Sequence, residues 1–368
     1  MAWIKFWWRK ICAHLDMPLL IIVLLLMGTG LLTIFSATSS SGLGRMDNQI
    51  VNMAISFLIM FAVAQTAPQK LMRFAVPLYL IGLALLVGVA LFGVVVNGSR
   101  RWLSLGFMRI QPSEIMKIAM PLMLAWYFHK NESILGMKNF LVAGILLLLP
   151  IAFILKQPDL GTSLLIGAAG FFVIFFAGLP WKVILGLGVT GVAALPLAWQ
   201  FVLHDYQRRR ILTLFDPTSD PLGAGYHIIQ STIAIGSGGS FGKGWLNGTQ
   251  THLKFIPEKH TDFIFAVLAE EWGLAGSIFL LLLFLCLVGR GLMIAAAAPT
   301  LFSRLLAAAI SMVFFIYAFV NMGMVSGILP VVGVPLPFIS YGGTALVTLM
   351  LGIGMLMSIH THRMLVKK

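Results

Sequence analysis

Apolar runs of about 16 to 26 residues recur along the chain, close to the ~20 residues that a helix needs to cross a bilayer. Ten stand out: Met17–Ser36, Ile50–Gln65, Phe74–Val96, Ser113–Tyr127, Phe140–Leu155, Ser163–Leu179, Val183–Leu203, Phe263–Val288, Leu305–Leu329 and Phe338–Ile359. Some contain proline, as at Pro121, Pro150 and Pro196. Such breaks are tolerated where neighbouring helices satisfy the freed backbone groups. The one long polar interruption is 204–261, between the seventh and eighth runs. It is too long for a connector and too short for an independent core, so it is expected to pack on the helices and carry function. The pattern predicts an all-α polytopic membrane protein of about ten transmembrane helices, forming a single integral domain over 1–368 with one large extracytoplasmic loop at 204–261.

Composition agrees. The 368 residues are 59% hydrophobic and 10% charged, with a mean hydropathy of +0.97. A water-soluble domain of this length needs far more charge on its surface. The basic, aromatic start, with Trp7 and Trp8 beside Arg9 and Lys10, suits an interface anchor ahead of an uncleaved first helix. Cys12 and Cys286 give neither a disulfide framework nor a metal spacing. Ten spans put both termini on one side, and short loops on that side carry roughly 13 Lys and Arg against about 6 on the other, so the termini are expected in the cytoplasm. Nearly all the acids fall on the opposite, outer face.

Ionisable residues at membrane depth are costly and by default mark a functional site. Four outward clusters stand out. In "NGSRRWLSLGFMRIQPSEIMKIA" (Asn97–Ala119), Arg100, Arg101 and Arg109 are cations, Pro112 and Ser113 open a helix, and Glu114 and Lys117 share a helix face at i,i+3. That pair is either functional or a buried structural ion pair. In "KQPDLGTS" (Lys156–Ser163), Asp159 sits in a tight turn where it could also cap the next helix. The long loop opens with Arg208, Arg209 and Arg210, continues through a short amphipathic helix, "YHIIQSTIAIG", and reaches "GSGGSFGKG" around Lys243. That glycine segment fails the P-loop pattern, because Ser237 and Gly244 stand where Gly and Ser or Thr belong. It reads as a flexible turn whose amides could meet an anion. In the fourth cluster, "EKHTDFIFAVLAEEWG" (Glu258–Gly273), Asp262 lies at the helix mouth, as substrate contact or N-cap, while Glu270 and Glu271 lie deeper and read as acids that hold neighbouring helices.

A carboxylate at the mouth suits proton abstraction from a hydroxyl, and interfacial cations suit a lipid-attached phosphate. Together they suit sugar transfer from a lipid pyrophosphate, with inversion at the sugar. A transporter fits the composition equally well.

The segment "NMGMVSGILPVVGVPLPFISYGGTA" (Asn321–Ala345) resembles the signature of the SEDS family (shape, elongation, division and sporulation) over its whole length. "QPSEIMKIA", "QPDLGTS" and "HTDFIFAVLAEEWG" resemble the family's other hallmarks, and the loop segments and the ending "MSIHTHR" are most similar to its elongation branch. The resemblance implies a ten-helix fold, polymerisation of peptidoglycan glycan strands from lipid II, and a bacterial inner-membrane location with the active site on the periplasmic face. It further implies a complex with a class B penicillin-binding protein transpeptidase and other elongation-machinery membrane proteins; no nucleic acid is expected as a partner. Asp262 matches the family's essential aspartate, Glu114 and Lys117 its paired residues, and Asp159 its turn aspartate. Arg101, Trp102, Gln111 and Ser340 fall in matching motifs. Arg109, Arg210, Lys243 and His260 complete the expected substrate-binding set. A lipid II flippase and a non-catalytic scaffold are the alternatives. No cofactor is required by the sequence, and help from a divalent cation at the pyrophosphate stays open.

Overall fold

The computed structural model describes residues 14–39, 44–96, 99–104, 109–203, 205–220, 223–253 and 258–362. The basic N-terminal stretch with Cys12 lies outside the described residues, as do residues 40–43. The helices are α1 Met17–Thr38, α2 Gly44–Ala64, α3 Pro68–Phe92, α4 Pro112–Lys130, α5 Met137–Lys156, α6 Leu160–Phe176 and α7 Trp181–Leu197, followed by α8 Asp205–Phe215, α9 Ala224–Ser237, α10 Thr249–His252, α11 Ile264–Ala296, α12 Leu301–Val325 and α13 Gly343–Thr361. Seven of them, α1, α2, α3, α5, α11, α12 and α13, are long and apolar enough to cross a membrane. The other three expected spans are also helices. α4 carries Glu114 and Lys117 in its first two turns, and α6 and α7 have 17 residues each.

The helical expectation holds with one addition. Val94–Val96 (β1), Ser99–Ser104 (β2) and Arg109–Ile110 (β3) form a small antiparallel sheet in the order β1-β2-β3. β1 takes the end of the expected third span, whose helix stops at Phe92. The last two spans also end differently. Residues 326–342 are not helical, and α13 starts at Gly343 rather than Phe338. Pro330, Pro335 and Pro337 have no N–H to give a helix, and Gly327 and Gly333 have positive φ.

Successive crossings put the sheet, the 157–159 turn, α8–α10 and the 326–342 segment at one end of the bundle, called here the loop face. At the opposite end Asp16 caps α1 by accepting from Leu19 N at 2.9 Å. The same carboxylate takes two bonds from Arg290 of α11, at 3.1 and 2.5 Å, and lies 3.2 Å from His360 Nε2 of α13. One acid therefore ties three helices together. Between the ends, α12 packs on α4, α6 and α11, and α13 packs along α2. In lipid the hydrophobic effect does not separate helix from helix, so close packing carries association. Gly354 shows this, since a Cβ there would stand 2.6 Å from the Met60 carbonyl of α2. α7 buries no described residue against the rest of the chain.

α11 is broken at Gly273 (φ 65°, ψ −157°). The break frees backbone groups on both sides, and the glycine loop after α9 satisfies them. Lys243 N donates to Glu270 O (3.1 Å), Gly244 N to Glu271 O (3.0 Å), Leu274 N to Gly239 O (2.9 Å) and Ala275 N to Ser240 O (3.0 Å). This corrects the reading of "GSGGSFGKG" as a flexible, anion-seeking turn. Two of its amides are spent on helix carbonyls, and the segment is pinned at a helix break.

Candidate functional site

Asp262 lies in the turn that precedes α11, at the loop face. The N-cap position of that helix is Phe263, which makes no side-chain cap bond, so the Asp262 carboxyl is not used as a cap. Its backbone is held from behind. Tyr341 N donates to His260 O at 2.8 Å, Ser340 Oγ to Thr261 O at 2.7 Å and Asn321 Nδ2 to Asp262 O at 2.8 Å. In front, Gly333 comes so close that an added Cβ would stand 3.3 Å from Oδ2. No ion pair or side-chain hydrogen bond reaches the carboxyl among the described residues. Burial, and then the nearby Glu258 carboxylate, raise its pKa to about 6.

Two imidazoles and a guanidinium lie against the residues that flank it in the chain. His260 Nδ1 lies 3.4 Å from Arg45 of α2, and its ring meets Tyr341 edge-on at 6.2 Å. Burial first, then Arg45, lower the His260 pKa, so this ring is neutral near pH 7. His227 of α9 stacks on Phe263 at 5.3 Å, and burial lowers its pKa as well.

A second group sits where β2 meets the starts of α4 and α6. Asp159 caps α6 by accepting from Thr162 N at 3.1 Å. The same side chain lies 3.7 Å from Arg101 Nη1 and accepts from Gln111 Nε2 at 3.5 Å. Arg101 also donates to the Gln157 and Pro158 carbonyls, at 3.3 and 2.5 Å. Trp102 is half-buried on the same strand, opposite Val94. Arg109 is on β3, in register with Ser104.

Deeper in the bundle, Lys117 Nζ donates to Glu114 Oε1 at 2.7 Å, and Thr348 Oγ1 of α13 donates to Glu114 Oε2 at 3.3 Å. The ring of Tyr317 on α12 lies 5.6 Å from the same ammonium. Lys117 is buried, so the pair joins α4, α12 and α13 around a charge that cannot be left alone.

Two expected substrate contacts are engaged with the protein itself. Lys243 Nζ donates to Glu270 Oε1 at 2.8 Å and to Thr249 Oγ1 at 2.7 Å. The buried Ser340 hydroxyl donates to Thr261 O and accepts from Leu336 N, both at 2.7 Å. Arg210 is half-buried on α8. Glu271 Oε1 accepts from Ser36 Oγ of α1, so the deep acids do hold other parts of the chain. Sequence reasoning passed over Asn321, Tyr317, Gly333 and Arg45. Asn321 and Tyr317 had a signal, being polar groups four apart in an otherwise apolar run. Among the described residues no group of three or more His, Cys, Asp or Glu is placed to hold a metal ion.

A family model described as "Cell cycle protein" (FtsW/RodA/SpoVE) matches residues 17–365. The peptidoglycan glycosyltransferase MrdB of Escherichia coli strain K12 is 52% identical over 365 residues, covering 99% of this chain and 98% of that protein. Stage V sporulation protein E of Bacillus subtilis strain 168 is 36% identical over 366 residues, 94% of this chain and 97% of its own. Among solved structures, the rod shape determining protein RodA of Thermus thermophilus superposes with a TM-score of 0.71 at 30% identity, covering 95% of this chain and 97% of that one. A chain from a structure on the coordination of polymerization and crosslinking by a peptidoglycan synthase complex gives a TM-score of 0.82 at 34% identity, with 95% and 98% covered.

Proposed function

The chain belongs to the FtsW/RodA/SpoVE family of cell cycle proteins, and from that premise we propose that Asp262 is the base of its sugar-transfer reaction. The protein is a multi-pass membrane peptidoglycan glycosyltransferase acting in elongation, the activity carried in the name of its 52%-identical relative. One observation supports the assignment of the base above the others. Asp262 is a carboxyl with no cation bound to it, set in a turn at the bundle mouth, and its pKa of about 6 is close to working pH. A general base is most effective when its pKa lies near the operating pH.

In the proposed step Asp262 takes the proton from a sugar hydroxyl of the acceptor. The acceptor oxygen forms a bond to the anomeric carbon of the donor, and the bond from that carbon to the pyrophosphate oxygen breaks. The pyrophosphate leaves with the electron pair on its lipid, and the sugar centre inverts. The substrate is lipid II, a disaccharide peptide on undecaprenyl pyrophosphate. Arg101, partly exposed at the loop face beside Asp159, is the candidate to meet the leaving pyrophosphate, exchanging its bonds to the Gln157 and Pro158 carbonyls for phosphate oxygens. The partner is a class B penicillin-binding protein transpeptidase, consistent with the likeness to a synthase complex that couples polymerization to crosslinking. The membrane is the bacterial inner membrane, with the loop face in the periplasm and the termini in the cytoplasm. The excess of Lys and Arg in short loops at the opposite end supports that orientation.

The test is polymerisation of purified lipid II by the full-length protein and by Asp262→Asn. The variant is expected to fold, bind its partner and make no glycan. Wild-type glycan yield from Asp262→Asn would sink the assignment. Translocation of lipid II in liposomes that survives this substitution, with no glycan from the wild type, would favour the flippase reading instead.

A further inference from the structure

Three consecutive carbonyls, those of His260, Thr261 and Asp262, each accept a hydrogen bond from the 321–341 region. The third bond differs from the other two. Tyr341 N is a backbone group, and Ser340 Oγ ties Thr261 O to Leu336 N, one residue short of Asp262 and three beyond Gly333. Asn321 Nδ2 spans two structures, donating to Asp262 O at 2.8 Å and to Val334 O at 2.7 Å. Val334 directly follows Gly333, the residue that faces the Asp262 carboxyl. One amide therefore holds both sides of the same gap, the residue that bears the carboxyl and the wall opposite it. A side chain at the wall would be strained, for Gly333 has φ +70° as well as its close approach to Oδ2.

Packing alone does not call for an asparagine here. Asn321 is fully buried on α12, and its Oδ1 has no hydrogen-bond partner among the described residues. A buried polar atom left unpaired is costly, so the site keeps its amide at the expense of stability that a leucine would supply. Four residues earlier on the same helix face, Tyr317 lies against Lys117. One stripe of α12 thus touches both the Glu114–Lys117 pair and the backbone of Asp262.

We infer that Asn321 is a positioning residue for glycosyl transfer, fixing the Asp262 carboxyl at a set distance from Gly333 so that an acceptor hydroxyl is met in one geometry. The inference rests on the reading of Asp262 as the base. Displacing a reacting group by about 1 Å costs on the order of 100-fold in rate, and among the described residues Asn321 is the side chain that bonds to Asp262 itself and to the neighbour of Gly333.

The experiment measures steady-state polymerisation of lipid II by the full-length protein in nanodiscs, as a function of pH, for wild type, Asp262→Asn, Asn321→Leu, Asn321→Asp and the Asp262→Asn/Asn321→Leu double variant. Asn321→Leu is expected to lower kcat by about 100-fold with KM little changed, and to move the acid limb of the pH profile to lower pH as the loosened carboxyl gains water. Asn321→Asp keeps one donor while its buried carboxyl is protonated, so it should fall between Leu and wild type. In the Asp262→Asn background the leucine should add no further loss. Wild-type kcat for Asn321→Leu, or a loss that merely tracks the folded fraction with an unmoved acid limb, overturns the inference while an inactive Asp262→Asn leaves the base reading standing. If Asn321→Leu does not fold, the same two criteria applied to Asn321→Asp decide. Wild-type rates from Asp262→Asn remove the base reading and this inference together.

Discussion

Lys243 and Glu270 form an ion pair at 2.8 Å between the glycine loop and the broken helix α11. The Glu270 carboxylate also accepts from Thr249 Oγ1 and Gln250 N on one oxygen, and from Thr251 N and Oγ1 on the other. Every donor comes from the segment between α9 and Asp262. The pair is thus an anchor for the loop, placed where the sequence suggested a substrate cation. Lys243→Met leaves a fully buried carboxylate without its cation, a change that costs about 3 kcal/mol or more. The expected result is a lower thermal midpoint in detergent and a polymerisation rate that falls only with the folded fraction, with KM for lipid II unchanged. The Glu270→Gln/Lys243→Met double variant should recover most of the midpoint. A raised KM at full stability would return Lys243 to the substrate site.

The Glu114–Lys117 pair has a third and a fourth party, Thr348 on the carboxylate and Tyr317 at the ammonium. Either single charge reversal places two like charges within one helical turn at membrane depth, and each is expected to abolish activity and lower yield. The exchange Glu114→Lys/Lys117→Glu restores opposite charges but presents the wrong one to each hydroxyl-bearing neighbour. Partial rescue is therefore expected in a complementation or polymerisation assay. Absence of any rescue would mean that the positions act separately.

Local features were legible in the sequence, and features that depend on distant partners were not. The bundle could be read because each span is a long apolar run, and the Glu114–Lys117 contact because i,i+3 spacing fixes it within one helix. The Asp159 cap was legible for the same reason, since its partner Thr162 is three residues away. The role of Lys243 was not, because Glu270 is 27 residues distant and is reached only across the break at Gly273. The short sheet was missed although Asn97-Gly98, between β1 and β2, is a hairpin dipeptide, because valines beside a lipid-spanning run look like more of that run. Ser340 stood inside a motif whose resemblance suggested substrate contact, and Asn321 in the same motif was passed over. Their bonds to the carbonyls of Asp262 and Thr261 depend on how the 326–342 segment folds back, which no local periodicity encodes.

Asp159 combines a helix cap with a charge beside Arg101, and two substitutions separate these roles. Asn caps a helix as well as Asp does, whereas Ala does not cap and costs about 1 kcal/mol. Asp159→Asn is expected to keep the thermal midpoint and lose activity, if the carboxylate orients Arg101 toward the loop face. Asp159→Ala is expected to lose activity to the same extent and to lower the midpoint as well. Equal activity for Asp159→Asn and wild type would reduce Asp159 to its capping role.

The raised pKa of Asp262 makes two predictions of opposite sign. As a base it must be ionised, so the rate should rise with pH through about 6, the value set by burial and Glu258, and fall about tenfold for each pH unit below that. Stability runs the other way. The folded state holds this proton more tightly than the unfolded chain, whose carboxyl titrates near the ordinary 3.8, so ionising Asp262 costs the native state about 3 kcal/mol once pH exceeds 6. That cost fades as pH falls from 6 toward 4. Asp262→Asn removes the charge while keeping the shape, and should raise the thermal midpoint at pH 7.5, and raise it about a third as much at pH 4.5. Glu258→Gln removes a like charge, and should move the acid limb of the rate profile to lower pH without abolishing activity. An Asp262→Asn protein no more stable than wild type at pH 7.5 would mean that the carboxyl is solvated in the native protein, and a pH profile without an acid limb near 6 would mean that it is not the group that takes the proton.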